Sequence, residues 1–238
     1  MIEWLRTCCR RKPSFLFNFV VMKKWLIRIA IVVVVLFGAY HAFHQLYFLR
    51  LPDRNVPNDP SVFVSPADGL VYAVKQWDGA TEIVPKDLNG AIKVMTDGLG
   101  TTRGTLVSIT LNLHNIHYQR AMIAGRYLGS VHTKGEFNNA LVHENEYGMR
   151  FENEHNTMLF ESSKGTKYKV IQLAGFAARR IEDFMVAGGP KEVKQGDVIG
   201  VIKLGSQVTV IFPEGVEVLA KPGDRVIDGE TVLAKEIQ

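Results

Sequence analysis

Hydrophobic and polar positions divide the chain into a long apolar segment near the N-terminus and a strand-like remainder. Residues 29–49 carry no charge, a run of 21 residues that matches the ~20 residues a helix needs to cross a bilayer core. Beyond Leu51, short runs of β-branched and aromatic residues are separated by glycine, proline and asparagine, which is typical of strands and turns. Leu106–Leu113 alternates with the period of a half-buried strand. The pattern predicts a membrane helix within residues 1–50 and a mainly β, strand-rich α+β domain over residues 51–238.

Charges around the apolar run bear on its orientation. Basic residues are more numerous before the run than after it, so the positive-inside rule places the domain across the membrane from the cytoplasm. A second apolar patch, Phe15–Val21, allows the alternative of a shallow hairpin that returns the domain to the cytoplasm. A cleaved signal peptide is disfavoured because no clear small-x-small site follows the core. The sequence therefore predicts an N-terminal anchor in the cell (inner) membrane and leaves the side of the domain open.

Composition and charge limit the classes of partner that the protein is expected to bind. The formal net charge is +4, which suits a surface that meets anionic lipid, and the domain has no dense lysine and arginine block of the kind that binds nucleic acid. The two cysteines, Cys8 and Cys9, are adjacent and lie outside the domain. Neighbouring cysteines rarely bridge each other, so neither a disulfide framework nor a cysteine metal site is predicted.

The C-terminal part contains an approximate repeat. Val193–Ile199 resembles Ala220–Val226, and the Gly-Asp pairs that begin at positions 196 and 223 are 27 residues apart. Paired short strands that turn at Gly-Asp predict a barrel-sandwich of the biotinyl/lipoyl type. A swinging-arm carrier domain is disfavoured because no lysine stands between methionines at a hairpin tip.

A Gly205-Ser206 pair lies between two strand-like segments, Val198–Leu204 and Val208–Phe212. One interpretation is a bulge or bend in which glycine supplies unusual backbone angles. The other is self-cleavage, in which the Ser206 hydroxyl attacks the carbonyl of Gly205 and the resulting ester eliminates to leave an N-terminal pyruvoyl group. That chemistry needs a base to activate the serine and a group to orient the base.

Two histidines and one aspartate are candidates for these roles. His114 and His117 follow the Leu106–Leu113 strand, and on extended backbone they would point to opposite faces. An imidazole, with a pKa of about 6.5, suits proton transfer near neutrality, although a histidine at a strand end can also be purely structural. Asp68, followed by Gly69, is either a turn residue or the carboxylate that orients a histidine. No metal is predicted, because zinc needs three or four converging ligands and no third one stands at suitable spacing.

Three arginines are candidate contacts for a phosphate, because guanidinium groups bind phosphate in bidentate fashion. The alternative for each is a solvated surface charge. The three are Arg120, Arg179 and Arg180.

Several linked motifs resemble one known family in the same order. They are Ser65–Gly69, His114–Ala121, Gly135–Ala140, Glu144–Glu146, Gln172–Phe176 with Ala178–Ile181, and Gly196–Val208. Together they resemble phosphatidylserine decarboxylase proenzymes of the short, prokaryotic type, from about Leu51 to the C-terminus. Two positions depart from the pattern: Asn115 stands where an aspartate is expected, and Met122 where a proline is expected.

The resemblance implies pyruvoyl-dependent decarboxylation of phosphatidylserine to phosphatidylethanolamine, in phospholipid biosynthesis, without a metal. It implies cleavage between Gly205 and Ser206 into a large and a small chain, and Ser206 would become the pyruvoyl group. His117 resembles the family's catalytic histidine, and Asp68 the aspartate that supports it during self-cleavage. The implied partners are the lipid substrate, the bilayer and the two chains of one precursor, while a homo-oligomer stays open.

Two alternatives accompany this prediction. A pyruvoyl decarboxylase could act on a related aminophospholipid with another headgroup or lipid core. A non-enzymatic, membrane-anchored adaptor also combines an N-terminal helix with lipoyl-like strands, although such proteins usually carry coiled-coil heptads and none is visible here.

Overall fold

The computed structural model describes residues 15–78, 97–136, 152–175, 180–186, 189–203 and 206–237. The chain divides into two compact units, Met1–Tyr47 and Phe48–Gln238. The boundary falls three residues before the domain start predicted at Leu51. Phe48, which the sequence assigned to the anchor, therefore belongs to the larger unit.

The N-terminal unit contains one long helix. Helix α1 covers Phe15–Ala42 and continues into a π-helical turn, Phe43–Phe48. Within the described residues, Val21–Phe48 is long and apolar enough to cross a membrane. The helix is continuous through Phe15–Val21, so the alternative of a hairpin built from two apolar patches is wrong. The predicted membrane helix is supported by length and composition, and Cys8 and Cys9 lie outside the described residues.

The larger unit is built from strands, which confirms the mainly β prediction. The described residues form fourteen strands: β1 Val62–Val64, β2 Gly69–Asp78, β3 Arg103–Leu111, β4 Tyr118–Arg120, β5 Gly125–Thr133, β6 His155–Ser162, β7 Lys167–Ala174, β8 Arg180–Asp183, β9 Lys191–Val193, β10 Val198–Lys203, β11 Ser206–Pro213, β12 Val216–Val218, β13 Arg225–Val226 and β14 Val232–Glu236.

The largest sheet has eight strands in the order β13-β2-β3-β11-β7-β6-β5-β9, and all its pairs are antiparallel. Strand β11 is central, with Ser206 paired with Leu111 of β3 and with Ala174 of β7. All eight residues of β11 are buried, which explains why its sequence is a nearly continuous run of β-branched and apolar residues. The first residue of β11 is thus held on both sides by the sheet.

Two three-stranded sheets complete the larger unit, in the orders β1-β14-β12 and β4-β10-β8. In the second of these, Val201 of β10 pairs with Tyr118 of β4 and with Glu182 of β8. Strand β10 of this small sheet ends at Lys203, and β11 of the large sheet begins at Ser206, so the two strands are consecutive in the sequence.

The repeat seen in the sequence corresponds to two equivalent turns, Lys194–Asp197 and Lys221–Asp224. In each, the aspartate side chain accepts a hydrogen bond of 2.8 Å from the lysine N–H, and the glycine has a positive φ, 86° in the first and 95° in the second. Each glycine N–H also donates to the carbonyl of a residue distant in sequence, Ala121 for the first turn and Val71 for the second, both at 2.8 Å. Such a paired arrangement is expected of the predicted barrel-sandwich.

The main hydrophobic core lies on the face of the large sheet to which Val208, Val210 and Phe212 of β11 contribute. Edge-to-face contacts at its centre join Phe63 to Phe212 and to Tyr168, with ring centroids 5.1 and 5.2 Å apart. A smaller cluster that includes Trp77, Ile171 and Ile211 covers the opposite face. Burying an aromatic or aliphatic side chain stabilises a fold by ~1.5–3 kcal/mol, so a sheet packed on both faces holds β11 rigidly.

Candidate active site

Ser206 is a buried serine whose hydroxyl is unsatisfied. The residue is completely buried, and its Oγ has no hydrogen-bond partner among the described residues. Burying a hydroxyl without a partner costs free energy, so native structures rarely retain one without a functional reason. Gly205 lies outside the described residues. The structure therefore shows the hydroxyl side of the predicted cleavage site.

His117 is held next to the strand that leads to Ser206. Its backbone carbonyl accepts a 3.1 Å hydrogen bond from the N–H of Ile202, in β10. The side chain is completely buried, and the Phe48 ring packs against it with 4.1 Å between ring centroids. Both candidate residues are thus fixed by elements that meet between the small sheet and the large one.

The hydrogen bonds of His117 define its tautomer. Nδ1 lies 3.0 Å from the backbone oxygen of Asn115, and because a carbonyl oxygen only accepts, Nδ1 carries the hydrogen. Nε2 then holds the lone pair, and it is buried without a partner among the described residues. Burial lowers the pKa of His117 to about 4, with nearby Arg50 acting in the same direction against the opposing Asn115 hydrogen bond. The imidazole is neutral near pH 7, with an unoccupied acceptor.

Ser206 and His117 are chemically complementary. Among the described residues, the serine O–H has no acceptor and the Nε2 lone pair of the histidine has no donor. A base that activates a serine has this protonation state and this tautomer. The two atoms are not hydrogen-bonded to each other among the described contacts, and proton transfer from Oγ to Nε2 requires them to come within hydrogen-bond distance.

Asp68 acts on the backbone that precedes His117. Its Oδ2 accepts a 2.8 Å hydrogen bond from the N–H of Ile116. The sequence-based hypothesis had this carboxylate orienting the imidazole, but among the described contacts the ring is bonded through Nδ1 to Asn115. The orienting acceptor is thus a main-chain carbonyl two residues away, and Asp68 fixes the loop that carries it.

Strand β3 ends at Leu111, and His114 lies on the turn that follows it. The turn is closed by a 3.1 Å hydrogen bond from the Asn115 N–H to the Asn112 carbonyl. The Asn115 side chain also accepts a 2.9 Å hydrogen bond from the Asn112 N–H. His114 is exposed whereas His117 is buried, so the two histidines do not share a face. The expected separation is correct, but a turn produces it instead of an extended strand.

The two departures from the family pattern have local explanations. Asn115 shapes the turn with its side chain and orients His117 with its carbonyl. Met122 is completely buried in the main core. Across the described residues, no group of three histidine, cysteine or acidic side chains is arranged to hold a metal.

The predicted phosphate contacts lie in different environments. Arg120 is only 8% exposed, and its guanidinium donates to Asp228, to the Gly196 carbonyl and to the Pro52 carbonyl at 2.7–2.9 Å. These internal bonds hold the donors of Arg120 inside the protein, and its role as a phosphate contact stays a prediction. Arg180 is exposed, and its Nε lies 3.5 Å from Oε1 of Glu182. Arg179 lies outside the described residues.

Comparison with known proteins gives the family. The family model described as phosphatidylserine decarboxylase matches residues 40–234. The chain is 35% identical over 189 residues to the phosphatidylserine decarboxylase proenzyme of Rickettsia akari (strain Hartford), which covers 79% of this chain and 73% of the relative. It is 38% identical over 187 residues to the proenzyme of the same name from Nocardia farcinica (strain IFM 10152), covering 79% and 70%. A putative archaetidylserine decarboxylase proenzyme from Methanothermobacter thermautotrophicus is 35% identical over 209 residues, covering 84% and 87%.

All three relatives are named as decarboxylase proenzymes, which places the protein among the lyases. The chain belongs to the phosphatidylserine decarboxylase family. Family membership contradicts the alternative of a non-enzymatic adaptor.

Proposed function

We propose that this protein decarboxylates phosphatidylserine to phosphatidylethanolamine, with a pyruvoyl group that it makes from its own Ser206. The observation that carries the proposal is the pair of buried, unsatisfied atoms, Oγ of Ser206 and Nε2 of a neutral His117. A glycine at position 205 suits the strained turn that brings a hydroxyl to the preceding carbonyl. The residues present therefore fit the formation of the group.

Self-cleavage follows from these two side chains. Nε2 takes the proton of Oγ, and Oγ attacks the Gly205 carbonyl, so that the peptide bond becomes an ester and residue 206 gains a free amine. Loss of the Cα proton expels the Gly205 carboxylate and leaves a dehydroalanine. Its tautomer, an imine, takes up water and releases ammonia. The products are a large chain that ends at Gly205 and a small chain of 33 residues whose first residue is a pyruvoyl group.

Once formed, the pyruvoyl carbonyl supplies the electron sink that decarboxylation of an amino acid requires. Asp68 supports the site by holding the Ile116 N–H, and the Asn115 carbonyl keeps the hydrogen of His117 on Nδ1. The surrounding core excludes water from Nε2, which suits it to hold and return a proton near the reacting carbon.

Membrane attachment suits a lipid substrate. A two-chain lipid stays in the bilayer, so an enzyme that acts on it gains from an anchor such as the Val21–Phe48 helical segment. We place the protein at the cell (inner) membrane. The exposed Arg180, with its neighbour Arg179, is the proposed contact for the substrate's anionic phosphodiester.

Mass spectrometry of the purified protein tests the self-cleavage. We expect a large chain and a 33-residue chain, residues 206–238, that lacks a free N-terminal amine. Ser206→Ala should remain a single polypeptide. A wild-type preparation that also stays intact would overturn the proposal.

Carbon dioxide release tests the substrate. We expect turnover of phosphatidylserine and much weaker action on free serine, which lacks the phosphate and the lipid anchor. A second candidate is archaetidylserine, which is favoured by the name of the Methanothermobacter relative. Assays with both lipids in matched micelles separate the two. Self-cleavage with turnover of archaetidylserine alone would retain the chemistry and overturn the assignment of the lipid core.

A further inference from the structure

Three buried side-chain amides form a continuous hydrogen-bonded path to His117. Asn156 Nδ2 donates to Gln172 Oε1 at 3.0 Å, and Gln172 Nε2 donates to Gln119 Oε1 at 2.7 Å. Gln119 Nε2 then donates to the backbone carbonyl of His117, also at 2.7 Å. All three amides are at most 2% exposed. We call Asn156, Gln172 and Gln119 the amide bridge.

The amide bridge joins the two sheets that carry the candidate catalytic residues. Asn156 and Gln172 lie on β6 and β7 of the eight-stranded sheet, and Gln119 lies on β4 of the small sheet. Asn156 Nδ2 also reaches across to Asp183 Oδ2 on β8, at 3.0 Å. Ser206 belongs to the large sheet, and the carbonyl of His117 is bonded to the small one. The amide bridge therefore links the backbone of His117 to the sheet that contains Ser206.

The donors of the amide bridge all point in one direction. Each amide donates toward the next, and the last donates to the His117 carbonyl, which also accepts the N–H of Ile202. Hydrogen bonds aligned in series polarise one another in a low-dielectric interior. A Cβ on Gly200 of β10 would lie only 2.7 Å from Gln172 Nε2, so the glycine leaves the space that the amide occupies. Gly200 thus leaves room for the central amide of the bridge.

We propose that the amide bridge consists of positioning residues for self-cleavage, which fix the backbone of His117 so that Nε2 is aligned with Ser206 Oγ. This inference rests on the proposed function. The three amides do not touch the reacting atoms. They act through the His117 carbonyl and through the separation of the two sheets.

The first test compares two variants on strand β7 in the full-length chain. Gln172→Leu removes the central amide, so Gln119 Oε1 loses its donor and Asn156 Nδ2 keeps only Asp183 as an acceptor. Val170→Ala, at a buried position two residues earlier on the same face, removes packing but no amide. The precursor is made by cell-free synthesis in detergent micelles, and the appearance of the 33-residue chain is followed over time. We expect Gln172→Leu to cleave at least ~10-fold more slowly than Val170→Ala, since a ~1 Å misplacement can cost ~10²-fold.

A second variant, Gln172→Glu, provides a pH signature that lost packing would not produce. When protonated, the glutamic acid can donate its O–H to Gln119 and accept from Asn156; when ionised, it cannot donate. The titratable side chains around the path are Asp183 and Tyr127 at one end and His117 at the other. We expect cleavage of Gln172→Glu to slow as pH rises, while cleavage of the wild type does not slow over the same range.

A third measurement does not depend on cleavage. Nitrogen NMR of histidine-labelled Ser206→Ala precursor reports the tautomer of His117, with the signal assigned by its loss in His117→Asn. We expect Gln172→Leu to shift this signal and Val170→Ala to leave it in place. If the wild type fails to cleave, the proposed function is wrong. The spectrum still tests whether the amide bridge positions His117. Unchanged His117 signals in Gln172→Leu, or cleavage of Gln172→Leu as fast as that of Val170→Ala, would overturn the inference.

Discussion

At the scale of single residues, His117 owes its properties to burial and to one backbone carbonyl. Removal from water disfavours the imidazolium form, which keeps the ring neutral and basic at Nε2. The Asn115 carbonyl fixes the tautomer without contributing a full charge. A carboxylate in the same place would favour the imidazolium instead. The site therefore combines an oriented ring with a low pKa.

The two histidines should differ in their effect on maturation. His117→Ala removes the proposed base, and we expect cleavage to slow by ~10²–10⁴-fold, the usual contribution of a positioned acid–base group. His114→Ala changes an exposed residue on a turn and should cleave at close to the wild-type rate. Densitometry of precursor and large chain during synthesis measures both rates. Equal defects in the two variants would contradict the assignment of His117 as the base.

The low pKa of His117 also makes stability depend on pH. The unfolded histidine protonates with a pKa of about 6.5 and the folded one with a pKa of about 4, so the unfolded state binds more protons between these values. Stability is therefore lost as pH falls from 6.5 toward 4, by up to ~3 kcal/mol. Urea unfolding of Ser206→Ala at pH 7 and pH 4.5 measures the loss. The loss should be smaller when His117→Asn is added, and an equal loss in both proteins would refute its origin in His117.

At the scale of elements, the segment between helix and domain matters for the site. Phe48 packs on the His117 ring, and Arg50 donates to the His114 carbonyl, although both residues precede the domain boundary predicted from the sequence. Within an apolar run, the sequence does not distinguish a side chain that contacts lipid from one that packs on a histidine. The first residues of the larger unit, Phe48 and Arg50, therefore pack around the candidate site.

Two truncations separate these roles. A chain that begins at Phe48 keeps the ring contact, and we expect it to cleave at nearly the wild-type rate. A chain that begins at Leu51 lacks the ring that packs on His117, so the imidazole loses an orienting contact and the chain should cleave several-fold more slowly. Both should act poorly on bilayer lipid compared with detergent-dispersed lipid. Equal cleavage rates for the two chains would show that Phe48 does not contribute.

Sequence patterns predicted the elements better than the contacts between them. Alternating and β-branched runs gave the strands, because side chains on a sheet have a period of two. The Gly-Asp repeat gave the paired turns, because each aspartate bonds within its own turn. The N-terminal membrane helix was predicted, but its extension back to Phe15 was not, because Lys23 and Lys24 interrupt the apolar pattern although lysines can extend toward the interface.

Long-range contacts in the site were not readable from spacing. Asp68 is 48 residues from Ile116, whose backbone it binds, and a main-chain partner leaves no trace in the identity of the residue. Arg120 stood in a family motif, yet its ion pair with Asp228 is 108 residues away, and only the fold shows that it is buried. Ser206 and His117 could be proposed as candidates from the sequence because a reactive side chain must be of a particular type.

At the scale of the whole molecule, a buried ion cluster joins segments that cleavage would place in different chains. Asp228 is completely buried between Arg54 and Arg120, at 2.7 Å from the Nε of Arg120. Asp228 would belong to the small chain and both arginines to the large one. After the proposed cleavage, these charges would hold the two products together.

Removing this carboxylate should weaken the assembly strongly. Asp228→Asn leaves two buried guanidinium groups without their counter-charge, and loss of one partner from a buried pair costs ~3–5 kcal/mol. The partly exposed pair Arg126–Glu161 serves as control, because Glu161→Gln should cost at most ~1 kcal/mol. Thermal unfolding of the mature protein compares the two variants. Similar losses would show that the cluster contributes no more than a surface pair.

The central position of β11 affects how the protein refolds after the proposed cleavage. In the precursor, this strand is covalently part of the chain that supplies its neighbours β3 and β7, so folding is unimolecular. After the proposed cleavage, the same strand arrives on a separate 33-residue polypeptide, and refolding becomes a bimolecular encounter. The melting temperature of the mature enzyme should then rise with protein concentration, while that of Ser206→Ala should not. A mature molecule that unfolds in a dilute membrane would lose its partner and, with it, the middle of its largest sheet.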